Sequence, residues 1–129
     1  MATGKITRMS NKVLWEGAYY MIAVQTITLS EKISQQLHGI CLVWSAYSNG
    51  QAQDYDFCYT FIPKEHIKYY NSKGVNCSLS TFNYFANKYL YISDQTITGH
   101  DDNDNTYTAS DSNIHIKNDG FVLRKVIGV

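Results

Sequence analysis

The residues best suited to hold a metal ion or a polar ligand lie together in the polar stretch 99–112. This stretch contains four aspartates, and its acidic half reads His100, Asp101, Asp102, Asn103, Asp104 and Asn105. Calcium prefers such oxygen ligands, but an EF-hand loop also needs a glycine at its sixth position and a glutamate at its twelfth. Both are missing here, so we predict no metal site and favour a solvated surface loop over the calcium alternative.

Signatures of a catalytic site are absent from the sequence. No nucleophile motif of the G-x-S-x-G type is present, and the histidines stand among polar neighbours at His38, His66, His100 and His115. Cys58 lies between Phe57 and Tyr59 in a strand-like run, where a reactive thiolate is poorly placed. Asp54 and Asp56 would share one strand face about 7 Å apart, near the spacing of inverting glycosidases, but any alternating strand with two acids does this. We therefore predict a protein that is not an enzyme and needs no cofactor.

Saccharide binding is the functional chemistry that the residue types favour most. Tyrosine rings stack on the apolar side of a sugar, while aspartate and asparagine bind its hydroxyls. The candidates in predicted loops and turns are Tyr69, Tyr70, Asp101, Asp102, Asp104 and Tyr107. The alternative for any single tyrosine is that it fills the core or a subunit interface, where tyrosine is also enriched.

Composition limits the class of protein and its partners. The 129 residues fit one domain, and they include eleven Tyr, five Phe and two Trp. Eleven basic residues balance eleven acidic ones and are scattered along the chain, which argues against nucleic-acid binding. A near-neutral domain tends to self-associate, as an obligate oligomer does. No apolar stretch is long enough to span a bilayer or to form a signal peptide, so we predict no membrane insertion.

Three cysteines, at 41, 58 and 77, make a complete set of disulfides impossible within the chain. No C-x-x-C spacing for zinc occurs. We predict buried free thiols in a protein made in a reducing cytoplasm.

Two segments, 39–47 and 54–62, carry the clearest strand-like alternation. Both faces of the first are mostly apolar, which predicts a strand covered on both sides, by a second sheet or by a partner chain. In the second segment one face is wholly aromatic, a pattern that a helix would scatter around its circumference. Its members are Tyr55, Phe57, Tyr59 and Phe61. We predict an antiparallel hairpin whose rings are hidden in the core or against another subunit.

Further short strands fill most of the remaining chain. A helical turn is predicted at 64–71 and a hairpin turn at 118–120. In the closing segment 121–127, alternation places Phe121, Leu123 and Ile127 on one face and Val126 on the other. About seven or eight strands with turns between them predict an all-β, antiparallel β-sandwich or jelly-roll-like domain. This domain covers 13–129 and follows a polar arm at 1–12.

Six segments also stand in a recognisable order. They are LWEGA at 14–18, TITLS at 26–30, GICLVWSAY at 39–47, YDF and TFIPK at 55–64, KYLYISD and TGHD at 88–101, and FVLRKVIGV at 121–129. The order, and above all the closing VLR-x-VIG pattern, resembles the C-terminal modules of tail-fibre and baseplate proteins from phages and prophages of Gram-positive bacteria. The resemblance covers roughly 13–129 and contains no chemical motif.

This resemblance implies a role for the chain in a virion. Such modules are typically β-sandwich units at fibre tips or branch points, and many are homotrimers. The implied function is attachment to the host surface, with a cell-wall saccharide and other tail or baseplate proteins as partners. The implied location is the tail tip, fibre or baseplate of a virion made in the host cytoplasm. A purely structural adaptor without a ligand and a cellular carbohydrate-binding module with one aromatic platform are the alternatives.

Overall fold

A computed structural model describes residues 11–108 and 114–129, and the strands in these ranges form two sheets. Within these ranges α1 (Glu65–Tyr70) is a short helix, and 3-10 turns occur at Ile33–Gln35, Asp101–Asp104 and Asn118–Gly120. The strands are β1 (Lys12–Tyr19), β2 (Thr26–Thr28), β3 (Gly39–Ser48), β4 (Gln51–Ala52), β5 (Cys58–Pro63), β6 (Gly74–Ser80), β7 (Phe85–Ile92), β8 (Thr96–Thr98), β9 (Thr106–Thr108), β10 (His115–Lys117) and β11 (Phe121–Gly128). The all-β prediction is confirmed, and so is the helical turn predicted at 64–71.

The first sheet has the order β1-β11-β3, and both β4 and β5 pair with the other edge of β3. The second has the order β2-β8-β7-β10-β9, and β6 also pairs with β7. All pairings are antiparallel except that between β7 and β10. No helix in the described part of the chain is long and apolar enough to cross a membrane.

One hydrophobic core lies between the two sheets. Side chains from both belong to the same buried cluster, among them Leu42, Trp44 and Leu123 of the first sheet and Leu79, Leu90 and Ile97 of the second. The alternation along β3 and β7 places these side chains on one face of each strand, so the sheets bury their apolar faces against each other.

The predicted hairpin of 39–47 and 54–62 is present as the antiparallel pair β3 and β5, with Ile40 opposite Ile62 and Trp44 opposite Cys58. Strand β5 begins only at Cys58 and not at the predicted residue 54, because Asp56 has a φ of 55° and interrupts the extended backbone. The pair of acids at Asp54 and Asp56 therefore does not lie on one strand, and that prediction is wrong.

The aromatic face of 54–62 points away from the core. Inward positions of β5 are taken by Ile62 and by Thr60, whose hydroxyl accepts a hydrogen bond of 3.2 Å from Trp44 Nε1. The rings are exposed instead: Tyr55 by 51%, Phe57 by 43%, Tyr59 by 67% and Phe61 by 55%. The prediction that they fill the core is wrong, which leaves contact with another subunit as the predicted way of covering them.

Apolar side chains continue across the outside of the first sheet. The register places Phe61 opposite Cys41, Cys41 opposite Ile127, and Ile127 opposite Val13. Tyr59 lies next to Phe61 on the same face of β5. We call this set the outer apolar face; its members are Val13, Cys41, Tyr59, Phe61 and Ile127.

A bulge in β11 changes which of its residues face the core. The pairing with β3 shifts between Leu123 and Lys125, so Arg124 is an extra residue and the alternation reverses after it. Val126 is therefore buried in the core, and Ile127 lies on the outer side. The predicted assignment of these last two residues is wrong for this reason.

Arg124 itself ties the loop after β4 to the sheet. Its Nη1 donates to Ser45 Oγ at 2.8 Å and to the carbonyl oxygen of Gln53 at 3.1 Å, and its Nη2 lies 3.0 Å from Asp54 Oδ1. The planar guanidinium can serve all three acceptors at once, which fixes the loop over the outer side of Ser45.

Two further predictions need correction. Asn118–Gly120 is a 3-10 turn through which the chain crosses from β10 in the second sheet to β11 in the first, so it does not close a hairpin. All three cysteines are free, but only Cys77 is buried; Cys41 and Cys58 are half-buried. Burial raises the pKa of Cys77 to about 12.

Candidate functional site

A polar cavity of ≈ 270 Å³ opens beside the second sheet, and two of the predicted ligand residues, Asp102 and Tyr107, line it. The other lining residues come from β6, β7 and the segments around two 3-10 turns: Asn76, Asn87, Tyr89, His100, Asn103 and Asn118. We call this cavity the tyrosine–asparagine pocket.

The floor of the pocket is built by the alternation of β6 and β7. Lys88 and Leu90 point into the core, so Asn87 and Tyr89 point to the opposite side of the sheet. Asn76 of β6 lies opposite Tyr89, and its Oδ1 accepts a hydrogen bond of 3.2 Å from Asn87 Nδ2. The two carboxamides thus hold each other in place across adjacent strands.

The Tyr89 ring forms a small aromatic cluster at the edge of the pocket. Its centroid lies 5.3 Å from that of Tyr91 and 5.5 Å from that of His100, with nearly perpendicular planes in both cases. On the facing strand, a Cβ atom at Gly74 would overlap the tyrosine ring, so glycine is required for this ring position. Edge-to-face packing of this kind stabilises the ring orientation.

The wall of the pocket is the 3-10 turn Asp101–Asp104. His100 Nδ1 accepts a hydrogen bond of 3.1 Å from the Asp102 backbone N–H, and Asp102 Oδ1 accepts one of 2.8 Å from Asn105 Nδ2. Asn118 Nδ2 donates to the Asp102 carbonyl at 2.7 Å. The turn is therefore fixed by side chains on both sides of it.

This geometry corrects the prediction of a solvated loop over 99–112 in part, since residues 101, 102 and 104–107 are exposed. The stretch holds a 3-10 turn, the strand β9 and a fully buried residue, Asn103. The remainder of the predicted loop, 109–112, lies outside the described residues.

Asn103 anchors the wall to the sheet. Its Oδ1 accepts from the Tyr89 backbone N–H at 2.8 Å, and its Nδ2 donates to the carbonyls of Met21 at 2.6 Å and Tyr89 at 2.9 Å. Sequence reasoning missed this residue, because one buried asparagine in a run of Asp and Asn carries no signal of its own.

Lys88 lies beneath the same wall and is fully buried. Its ammonium group donates to the carbonyls of Asn103 at 2.6 Å, Phe121 at 2.9 Å and Tyr20 at 3.1 Å. Its Nζ also lies 5.8 Å from the centroid of the Trp44 ring. Desolvation lowers the pKa of Lys88 to about 7, against the opposing effect of the carboxylates of Asp104 and Asp119.

Lys88 was also missed by sequence reasoning, although a signal existed. It has the same strand parity as Leu90 and Ile92, which point inward. Alternation alone predicts that Lys88 is buried, but a lysine is rarely buried completely, so this prediction was not made.

Several polar atoms of the pocket are available to a ligand. Within residues 11–108 and 114–129, the hydroxyls of Tyr89 and Tyr107 and the Nε2 of His100 make no hydrogen bond to the protein. Asn76 and Asn87 use one amide atom each for their mutual hydrogen bond, which leaves the second amide atom of each side chain. The pocket therefore offers both donors and acceptors next to aromatic rings.

The other predicted ligand residues do not line the tyrosine–asparagine pocket. Asp101 and Asp104 are exposed on the same 3-10 turn but do not line the pocket. Tyr69 and Tyr70 lie on α1 and line a different, mainly apolar cavity of ≈ 270 Å³ with Phe61 and His66. The structure thus brings Asp102 and Tyr107 together and separates both from Tyr69 and Tyr70.

No three His, Cys, Asp or Glu side chains converge as metal ligands within the described ranges. Of the aspartates of the 3-10 turn, Asp102 accepts a hydrogen bond from the Asn105 side-chain amide.

No protein-family model matches the chain, and no curated protein is significantly similar to it.

Proposed function

We propose that the chain is a module of a phage tail fibre or baseplate that attaches the virion to a cell-wall saccharide of its host, as a homotrimer. The observation that carries this proposal is the tyrosine–asparagine pocket, in which Asp102 and Tyr107 face amide and aromatic side chains of the second sheet. The resemblance of the ordered segments to phage tail modules of Gram-positive bacteria supplies the biological setting.

The pocket has the side-chain chemistry that a sugar requires. A pyranose has an apolar face that packs on an aromatic ring and hydroxyls that both donate and accept hydrogen bonds. Tyr107 and Tyr89 can supply the ring contact, while Asn76, Asn87 and Asp102 supply polar atoms. No catalytic step is part of the proposed function.

The homotrimer is supported by the outer apolar face of the first sheet. A half-exposed aromatic side chain leaves roughly 100 Å² of ring surface in water. Tyr59 and Phe61 of this face therefore expose about 200 Å² in a single chain, about a quarter of what one partner buries in a standard interface. Tyr55 and Phe57 in the preceding loop expose about as much again. Other copies of the chain are the occupant we propose for this face.

Binding to isolated cell walls tests the attachment function. We expect the purified protein to sediment with walls of Gram-positive bacteria, and the double variant D102A/Y107A to remain in the supernatant. The variant Y69A/Y70A changes the other cavity and is the matched control, which should still sediment. Equal sedimentation of the pocket variant and the wild type would contradict the proposed site.

A second candidate function, the structural adaptor without a ligand, is favoured by the outer apolar face alone. An adaptor needs this face for assembly but has no use for the tyrosine–asparagine pocket. Intact homotrimers that bind no cell wall, with the mass measured by light scattering, would select the adaptor over the attachment module.

A further inference from the structure

We infer that the tyrosine–asparagine pocket takes one uncharged sugar ring and excludes phosphate-bearing groups of the cell wall. This inference rests on the proposed saccharide-binding function and names the chemical class of its ligand. It follows from the charge, the size and the hydrogen-bonding groups of the pocket.

The charge around the pocket is negative. Asp102 is the one acidic residue of its lining, and no Lys or Arg lines it. Asp101 and Asp104 flank Asp102 on the same turn, and Asp119 is held nearby by a 2.7 Å hydrogen bond from Thr106 Oγ1. A phosphate in the pocket would be repelled by these carboxylates at short range.

The cations next to the pocket cannot compensate for this charge. Lys117 precedes the lining residue Asn118, but its Nζ lies over the Tyr84 ring, 5.3 Å from the centroid. Lys88 lies under the wall, but it is fully buried and its Nζ already donates to the carbonyls of Asn103, Phe121 and Tyr20. It therefore has no hydrogen left for a ligand oxygen. Sites that bind phosphate normally present arginine, lysine or free backbone N–H groups instead.

The hydrogen-bonding groups favour hydroxyls over phosphate oxygens. A hydroxyl both donates and accepts, whereas an ionised phosphate diester accepts only. The carboxylate of Asp102 is an acceptor; its Oδ1 already accepts from Asn105, and its Oδ2 can accept from a donor such as a sugar hydroxyl. The hydroxyls of Tyr89 and Tyr107 can adopt either role, so the set as a whole matches a neutral polyol.

The volume of the pocket limits the ligand to one small unit. At ≈ 270 Å³ the cavity lies just below the roughly 300 Å³ at which sites for drug-sized ligands begin. For so small a contact we expect a dissociation constant of about 1 mM for a single sugar. Firm attachment then requires several copies of the pocket acting together, which the homotrimer provides.

NMR titration of the isotope-labelled full chain tests this inference directly. The neutral probes are glucose, galactose, rhamnose and N-acetylglucosamine, and the anionic probe is glycerol 3-phosphate at matched ionic strength. We expect at least one neutral sugar to shift the amide signals of Asn76, Asn87 and Asn118 with a millimolar dissociation constant. Glycerol 3-phosphate should leave these signals in place or bind about tenfold more weakly.

Three variants make the test specific. Y107A should weaken the binding of the neutral sugar at least fivefold, while Y69A in the other cavity should leave it unchanged. The double variant D101N/D104N removes charge without touching the lining. It should leave neutral-sugar binding unchanged and increase the binding of glycerol 3-phosphate.

The outcomes separate this inference from the proposed function. Wall binding that depends on Asp102 and Tyr107, but is displaced by glycerol 3-phosphate and by no neutral sugar, overturns the inference and leaves the attachment function in place. A folded protein that binds neither walls nor any sugar overturns both. Neutral-sugar shifts that map to α1 and survive Y107A overturn the assignment to this pocket.

Discussion

The ammonium nitrogen of Lys88 lies 2.6 Å from the carbonyl oxygen of Asn103, whose side chain in turn hydrogen-bonds the backbone of Tyr89. A buried charge and a buried amide therefore join the wall of the tyrosine–asparagine pocket to the strand that forms its floor. Stability and ligand binding should consequently be coupled at these two residues.

The buried amine should make stability depend on pH. The pKa of Lys88 is lowered to about 7 in the fold, from 10.5, so between these values the unfolded chain binds a proton that the folded chain does not. The free energy of unfolding should therefore rise as pH increases from 7 towards 9, by at most about 1.4 kcal/mol per pH unit. Above pH 9 the raised pKa of Cys77 acts in the opposite direction.

Urea denaturation at pH 7, 8 and 9 measures this slope. K88M removes the titrating group and should lose most of the slope, while K73M at an exposed position should retain it. If the stability of K88M and of the wild type depends on pH in the same way, the pKa of Lys88 is not lowered by folding.

Asn103 should contribute strongly to stability. N103A leaves the backbone N–H and carbonyl of Tyr89 and the carbonyl of Met21 without this partner, which should cost about 2–4 kcal/mol. N105A removes one exposed hydrogen bond to Asp102 and should cost less than about 1 kcal/mol. Chemical denaturation of the two variants compares these costs. A loss of stability in N105A as large as that in N103A would contradict the role of Asn103 as the anchor of the 3-10 turn.

The guanidinium of Arg124 should be irreplaceable by an amine. R124K keeps the charge but cannot serve Ser45, Gln53 and Asp54 together, so we expect a loss of about 1–2 kcal/mol. D54N is the matched control, because Asp54 is largely exposed and its ion pair should contribute at most about 1 kcal/mol. Thermal unfolding of both variants would show whether the three hydrogen bonds of the guanidinium or the single ion pair with Asp54 stabilises the fold.

Charges on the outer apolar face should dissociate the proposed homotrimer. The double variant Y59E/F61E should change the mass measured by light scattering from three times 14.7 kDa to 14.7 kDa, without loss of β-sheet circular dichroism. F82E is the control, because Phe82 is fully exposed in the turn between β6 and β7 and lies outside this face. A trimer that survives Y59E/F61E but not F82E would place the interface elsewhere.

Sequence patterns predicted the fold class and the β3–β5 hairpin well, because alternation is a local property. They did not show which face of β5 is inward, because an aromatic face has the same pattern as a core face. Only the structure shows that Thr60, which hydrogen-bonds Trp44, and Ile62 of the core cluster are the inward residues. The bulge at Arg124 was equally invisible, because nothing local distinguishes an extra residue from a paired one.

The candidate site could be predicted only in part, for the same reason. Asp102 and Tyr107 are close in the sequence, and composition was enough to select them. Asn76, Asn87 and Asn118 join them through strand pairing and a crossing between the sheets, which no local pattern encodes. Tyr69 and Tyr70 were selected by the same composition argument, and the helix α1 carries them to a different cavity.

The position of β11 has a consequence for how the polypeptide acquires its structure. This strand lies between β1 and β3, and the register joins Lys12 to Gly128 and Ile40 to the same residue. During synthesis the ribosome releases β1 and β3 long before the strand that must separate them. Until β11 arrives, both have a free edge, so folding should be slow and the nascent chain prone to pairing with its neighbours on a polysome.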